Sequence, residues 1–289
     1  MVNHQFANVN GIKLHYVTTG QGELMLFVHG FPEFWYAWRK QLATFGADFQ
    51  AVAVDMRGYN LSDKPAEVAA YSIKHLVEDL RALVDHLGRQ KFTLVAHDWG
   101  GVVGWAFAAR WPNYLHKLII INAPHPTIFA RELRHNPAQQ KASQYIDFFR
   151  SAQAEAVLSA NDYAHLKEIV LAHGLKQGYF TEADSQAYLS AWSQPGALTG
   201  GLNYYRAFSL SPSNVATEPA SPKPNALKIT VPTLVIWGEQ DTALLTGNLV
   251  GLAEVVSDLT VKRISQGSHW VIHQYPDLVD QTIKEFLAV

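Results

Sequence analysis

Cysteine is absent from the 289-residue chain. That excludes a disulfide framework, a thiol nucleophile and any cysteine-ligated zinc or iron–sulfur centre. Long apolar runs are missing too. No window approaches about 18 consecutive apolar residues, so no transmembrane helix is expected. Charge is sparse and balanced: 25 acidic against 23 basic side chains give a net charge of −2, which offers no electrostatic reason to expect nucleic acid as a partner. The N-terminus, Met1-Val-Asn-His-Gln-Phe6, lacks a basic stretch followed by an apolar one, so it does not read as a secretory signal and a soluble cytoplasmic protein is expected. Core material, by contrast, is plentiful. The chain is 48% apolar and only 17% charged, which argues against disorder. At roughly 150 residues per domain, the length fits two domains or one large α/β unit.

The first part of the chain alternates strand-like runs with helical spacing. Ile12 to Thr18, Leu24 to Val28, Ala51 to Asp55, Phe92 to His97 and Leu118 to Asn122 read as strands. Trp38, Leu42 and Phe45 fall at helical spacing. Ile73, Leu76, Val77, Leu80, Leu83, Val84 and Leu87 mark an amphipathic helix, and a small-residue helix follows from Trp99 to Trp111. This order predicts a mostly parallel sheet with helices on both faces. The rhythm breaks at Pro124. From there to Lys228 the pattern is helical, with eight of the 13 prolines, so the helices are expected to be short or bent. Thr181-Glu-Ala-Asp184 has the chemistry of a capping box, and Ser209 to Lys228, with Pro212, Pro219, Pro222 and Pro224, reads as a return linker. The strand–helix rhythm then resumes, with strands at Thr233 to Trp237 and Leu259 to Ile264 and helices at Leu244 to Val256 and Pro276 to Leu287. The expected organisation is an α/β core over residues 1–123 and 229–289, interrupted by a helical insertion over 124–228.

The segment Leu94-Val-Ala-His-Asp-Trp-Gly-Gly101 puts Asp98 on a tight turn between a buried strand and a helix. Small residues, Ala96 and Gly100, flank it at two positions either side. A sharp elbow of this kind exposes the central side chain at the carboxyl edge of the sheet, where a helix N-terminus favours an anion. A helix N-cap is the plainer job for such an Asp. Two later segments weigh against that. Val235-Ile-Trp-Gly-Glu-Gln-Asp241 leaves Asp241 in the loop after one strand, and Gln266-Gly-Ser-His-Trp270 leaves His269 in the loop after the next. Nucleophile, acid and histidine, each at the carboxyl end of a strand, follow the chain order of an α/β-hydrolase triad.

On these residues the sequence resembles the α/β-hydrolase fold, and within it the epoxide hydrolase family. The resemblance runs through His29-Gly-Phe-Pro32, Asp55-Met-Arg-Gly-Tyr59, Ser62-Asp-Lys-Pro65, His97-Asp-Trp-Gly-Gly101, Leu202-Asn-Tyr-Tyr-Arg206, Trp237-Gly-Glu-Gln-Asp241 and Gly267-Ser-His-Trp270. Asn60 departs from it, standing where the family pattern usually has glycine. The resemblance implies that the insertion is a lid carrying two tyrosines that act on the epoxide oxygen. Tyr205 matches through Leu202-Asn-Tyr-Tyr-Arg206, and Tyr145, in Gln144-Tyr-Ile-Asp-Phe-Phe149, through a looser motif. It also implies a cis peptide before Pro32.

The residue types suit that chemistry. A serine that opened an epoxide would form an ether, which water does not readily cleave, whereas a carboxylate forms an ester. A carboxyl with an ordinary pKa of about 3.9 needs no base to activate it. That leaves His269 free to activate water, with Asp241 orienting it. The oxyanion formed during ester hydrolysis needs backbone donors, and the elbow and the His-Gly-Phe-Pro loop point to the N–H groups of Trp99 and Phe31. Tyrosine, with a pKa near about 10, stays protonated at neutral pH and suits the role of acid. The expected partners are a small epoxide and water, with no cofactor. His125, His135 and His173 have no metal-ligand spacing, so no metal is expected. His29, His97, Asp55 and Arg57 read as loop-orienting groups.

A haloalkane dehalogenase is the nearest rival, since it shares the Asp nucleophile. It commonly binds halide with an Asn or Glu where this chain has Phe31. A fluoroacetate dehalogenase would need arginines where Trp99 and Val102 stand. A serine esterase is disfavoured by Asp98 itself, and a non-catalytic binding protein of the same fold would have no use for the full Asp-His-Asp set.

Overall fold

The computed structural model describes residues 2–215 and 227–288. Eight strands form one sheet: β1 (Asn3–Val9), β2 (Ile12–Thr19), β3 (Leu24–Val28), β4 (Gln50–Val54), β5 (Phe92–His97), β6 (Leu115–Ile121), β7 (Thr233–Gly238) and β8 (Leu259–Ile264). Their spatial order is β1-β2-β4-β3-β5-β6-β7-β8. The β1–β2 and β2–β4 pairs are antiparallel and the others parallel. In the central strands the period-2 alternation sorts apolar side chains between two cores. Leu24, Leu26, Val28, Leu94, Ala96, Leu118, Ile120, Val235 and Trp237 face one way. Met25, Phe27, Val95, Ile119, Ile121, Leu234 and Ile236 face the other. Helices Ile73–His86 and Trp99–Arg110 cover the first face through Leu76, Leu80, Leu83, Val103 and Phe107. Helices Arg39–Phe45 and Pro276–Leu287 cover the second through Leu42, Phe45, Val279 and Ile283. Both faces of the parallel part are therefore buried, as continuous apolar strands demand.

Strand β1 lies outside the expected set. It is an edge strand with exposed polar positions, so its apolar pattern is faint. The Asn10-Gly11 pair between β1 and β2, with both residues at positive φ, is the hairpin signal that reveals it. The expected helix over Leu244 to Val256 is corrected. Two short turns, Thr246–Leu249 and Leu252–Val255, stand there instead. Gly251 takes a left-handed conformation between them, which ends any helical run. The apolar spacing of that stretch arises from packing against the core and not from a continuous helix.

Between Pro126 and Ala207 the described residues form helices: Pro126–His135, Pro137–Ala142, Gln144–Arg150, Ala154–Val170, Ala172–Gln177, Glu182–Trp192 and Ala197–Ala207; the Ala154–Val170 stretch is broken at Ala160 to Tyr163, where the backbone leaves the helical conformation. Three of them begin at or next to a proline or a capping box, including the Thr181–Asp184 box as expected. Of the return linker, residues 209–215 and 227–228 are described, and Pro219, Pro222 and Pro224 lie outside the described residues. Polar anchors tie the helices to the strand-end loops. The Trp192 indole donates to the Pro32 carbonyl at 2.6 Å, and the Tyr204 hydroxyl to the Arg57 carbonyl at 2.9 Å.

Arg57 is itself held by a buried fork. Its Nε and Nη2 donate to the two oxygens of Asp79 at 2.5 and 2.6 Å, and its Nη1 donates to the Ala70 carbonyl at 2.7 Å. Breaking such a pair leaves a charge unpaired in the interior. Asp79→Asn is expected to lower the free energy of unfolding in urea by about 3–5 kcal/mol. Ile73→Ser, on the exposed first turn of the same helix, should change it by less than about 0.5 kcal/mol.

Candidate active site

Asp98 follows β5 directly and opens helix Trp99–Arg110, with φ 50° and ψ −122°. For a residue with a side chain this is sparsely populated backbone, found where the surroundings force it. The turn is crowded: a Cβ at Gly100 would lie 2.3 Å from the Val28 carbonyl oxygen, and one at Gly30 would lie 2.0 Å from Asp98 Oδ1. Only glycine lets the two backbones approach this closely. The Phe31 N–H uses that approach and donates to Asp98 Oδ1 at 2.7 Å. The Phe31-Pro32 peptide is cis.

Parallel strands bring their carboxyl ends to one edge. Asp241, after β7, and His269, after β8, meet Asp98 there. His269 Nδ1 lies 2.7 Å from Asp241 Oδ2, and His269 Nε2 lies 3.7 Å from Asp98 Oδ2. Asp241 is fixed by three further donors: the N–H groups of Ala243 and Leu244 to Oδ1, each at 2.9 Å, and Asn122 Nδ2 to Oδ2 at 2.8 Å. Asn122 also accepts the Gly238 N–H at 2.9 Å. Sequence reasoning passed over Asn122, although a polar residue closing the apolar run of β6 is the signal that marks it. Because a carboxylate only accepts, Nδ1 of His269 carries a proton and Nε2 faces Asp98. Burial lowers the pKa of His269, but the charge and hydrogen bond of Asp241, followed by the charge of Asp98, outweigh burial and raise it to about 9. Burial raises the pKa of Asp241, yet His269 and the surrounding donors hold it below the ordinary carboxylate value.

Tyr145, on helix Gln144–Arg150, and Tyr205, on helix Ala197–Ala207, face each other edge to face with ring centroids 6.1 Å apart. Burial, followed by the charge of Asp98, pushes both phenols up, so both are protonated at neutral pH. The Trp99 ring packs edge-on against Tyr205 at 5.1 Å. Tyr204 points away, to Arg57, as expected for its neighbour on a helix. Two adjoining cavities are both bounded by Asp98, Tyr145 and Tyr205. Trp99, Val102, Phe129, Ile146, Phe208 and Leu244 line the first, and Phe31, Phe149, Leu166, Ile169, His269 and Trp270 the second. The walls are apolar apart from the residues just described. Among the described residues no group of three or more His, Asp and Glu side chains is placed to hold a metal ion. Among them too, no helix is long and apolar enough to cross a membrane.

A family model of the alpha/beta hydrolase fold matches residues 23–276. Epoxide hydrolase 4 of Mus musculus is 38% identical over an alignment covering 96% of this chain and 77% of that protein. The AB hydrolase superfamily protein YfhM of Bacillus subtilis (strain 168) is 38% identical, with 99% of this chain and 98% of that one covered. A crystal structure of a Bacillus megaterium epoxide hydrolase in complex with an inhibitor matches with a TM-score of 0.92 at 41% identity, covering 99% of this chain and 100% of that one. The chain belongs to the epoxide hydrolase family of the alpha/beta hydrolase fold. Against that family pattern Asn60 keeps the turn that a glycine would make. It adopts φ 41°, which Asn tolerates better than most residues, and its side chain donates to Asp55 Oδ2 at 2.8 Å. Asp55 and Arg57 fix loops, as their sequence positions suggest. His29 does so too, its ring bridging the Gly30 carbonyl and the Met56 N–H.

The Asp241–His269 contact makes a signed prediction. The folded-state pKa of His269 is raised, so the stability it contributes is fully present below its unfolded value of about 6.5 and is lost as pH rises through about 9. The lowered pKa of Asp241 acts only in acid, outside this window. Urea titrations of wild type and Asp241→Asn at about pH 6 and about pH 9.5 should show the gap between them narrowing at the higher pH. A gap of equal or greater size there would contradict the assigned pair.

Proposed function

We propose that this chain converts epoxides to vicinal diols through a covalent ester on Asp98. The reading divides the chain into an α/β-hydrolase core, residues 1–123 and 229–289, and a helical lid, residues 124–228, that covers the nucleophile. The observation that carries it is the setting of Asp98. Its carboxylate faces two protonated tyrosines across the cavities and has His269 Nε2 3.7 Å away on another side.

In the first step Asp98 Oδ2 attacks a ring carbon, the carbon–oxygen bond of the epoxide breaks, and the departing oxygen takes a proton from Tyr145 or Tyr205. Oδ1, already bonded to the Phe31 N–H, becomes the ester carbonyl oxygen. Between the steps the cationic His269 gives up its Nε2 proton, and the tyrosinate left by ring opening is reprotonated. In the second step the now neutral Nε2 takes a proton from water, and the water oxygen attacks the ester carbon. The N–H groups of Phe31 and Trp99 stabilise the oxyanion. Collapse breaks the bond to the former Oδ2, the departing alkoxide takes the second water proton, and the diol leaves with Asp98 a carboxylate and His269 cationic as they began. Alkylation also sets the timing. Once Asp98 is a neutral ester, one of the charges that raises the His269 pKa is gone, and the imidazole becomes a base at the step that needs one. The same Asp-His-Asp set would serve a haloalkane dehalogenase. The Phe31 ring, packed against Phe149 and Tyr205, offers no donor to a halide, and the paired tyrosines favour the epoxide reading.

A single turnover of a styrene-type epoxide in heavy-oxygen water should label the Asp98 carboxylate and leave the diol unlabelled. A labelled diol with unlabelled Asp98 would sink the covalent route. His269→Gln should lower kcat by about 10²–10⁴-fold while the ester mass persists on the Asp98 peptide.

Tyr205→Phe is expected to act on the opposite half of the cycle, slowing ester formation by about 10²-fold or more. Release of bromide from a bromoalkane at a rate untouched by that substitution would favour the dehalogenase reading instead.

A further inference from the structure

Behind the triad lies a second cluster of ionisable groups that the two steps do not use. Glu33 comes two residues after Phe31, and its side chain is fully buried. Its Oε1 accepts from His273 Nε2 and from the Tyr188 hydroxyl, each at 2.6 Å. Its Oε2 faces His97 Nδ1 at 3.4 Å. The other nitrogen of His97 lies 2.9 Å from the carbonyl oxygen of His269. A carbonyl only accepts, so His97 Nε2 carries a proton and donates it there. The His97 and His269 rings also pack at 4.8 Å. One carboxylate, on the loop that carries the Phe31 amide, thus accepts hydrogen bonds from the short helix just after His269 and from the lid helix that carries Tyr188, and lies against the end of β5 before Asp98 without a hydrogen bond to it.

Burying a carboxylate in this way is costly and is tolerated only where several donors converge on it. The donors here belong to elements whose relative placement fixes the distance between the Phe31 N–H and the His269 imidazole. Those two groups act together in one step only, the attack of water on the ester. We propose that Glu33 is a positioning residue for ester hydrolysis: it holds the oxyanion-binding loop, the His269 loop and the lid in one register. The proposal rests on the two-step reading above. Ester formation uses Asp98 and the tyrosines, so it should depend on Glu33 far less.

The test is rapid-quench kinetics of wild type, Glu33→Gln and His269→Gln, with the ester followed by mass on the Asp98 peptide. In Glu33→Gln, ester formation should stay within about 3-fold of wild type, while ester hydrolysis slows by about 10–100-fold, the scale of a small misplacement of catalytic groups. The ester then accumulates, kcat and KM fall together, and kcat/KM is nearly unchanged. A merely structural role would lower the active fraction, reducing kcat and kcat/KM equally with KM unchanged. That pattern, with no accumulated ester, would overturn the proposal. Tyr188→Phe removes only the donor from the lid. It should give the same split at about 3-fold in hydrolysis, and it decides the matter if Glu33→Gln does not fold. His269→Gln separates the two levels. Ester trapped there but not in the Glu33 and Tyr188 variants overturns the positioning role alone, whereas no ester in any of them overturns the covalent reading with it.

Discussion

The site is arranged around one carboxylate, Asp98, set on a sharp turn beneath apolar walls. A desolvated anion is stable only if donors face it, and a nucleophile works only if they do not smother it. The fold answers with one strained residue. At φ 50° the Asp98 side chain leaves the sheet edge and stands where the Phe31 amide reaches one oxygen and His269 approaches the other. The close packing of Gly30 and Gly100 follows from that turn, and so does the need for a loop shaped to present the Phe31 N–H. The strain is affordable because the elbow is clamped between two buried central strands and a helix of small residues, none of which can relax without opening the core.

Much of this was legible in the sequence because a parallel sheet writes its site into the ends of its strands. The runs ending at His97, Trp237 and Ile264 announce carboxyl ends, and the polar residues just beyond them, Asp98, Asp241 and His269, therefore had to share an edge. The tyrosines carried no such signal. Their spacing is that of ordinary helices, and only resemblance to a family singled them out. Asn122 and Glu33 were less visible still. Each is defined by partners more than 100 residues away, Asp241 and Gly238 for the first, Tyr188 and His273 for the second. No local pattern encodes a contact of that kind. The misread stretch from Leu244 to Val256 fails for the opposite reason. Its apolar residues do recur at helical intervals, but a left-handed Gly251 breaks the chain between them, and local backbone preference overrode periodicity.

Polar contacts join the helices between Pro126 and Ala207 to the α/β sheet and its helices. Tyr204 on the Arg57 carbonyl, Trp192 on the Pro32 carbonyl and Arg39, which opens helix Arg39–Phe45, on Asp184 each tie that helical segment to the rest of the fold. Such bonds contribute modest net stability but specify register, since any shift leaves a buried polar group unmatched. Register matters to the proposed reaction because Tyr145 and Tyr205 lie on the helices between Pro126 and Ala207, whereas Asp98 follows β5. The cavity walls, by contrast, are almost wholly apolar, which suits a neutral substrate and keeps competing hydrogen bonds away from the reacting oxygen.

One charge then coordinates the two halves of the proposed cycle. While Asp98 is anionic it raises the pKa of the tyrosines and of His269 alike. The tyrosines stay protonated and the imidazole stays cationic, so neither acts prematurely. As Asp98 transfers its charge to the opening epoxide, that field collapses. The phenols become stronger acids at the moment negative charge appears on the departing oxygen, and the imidazole becomes able to give up its proton once the ester exists. In the proposed cycle one covalent event thus serves both acid and base catalysis. In that cycle Tyr145, Tyr205 and His269 all lie within the field of one part-buried carboxylate, where a unit charge shifts its neighbours more than it would in water.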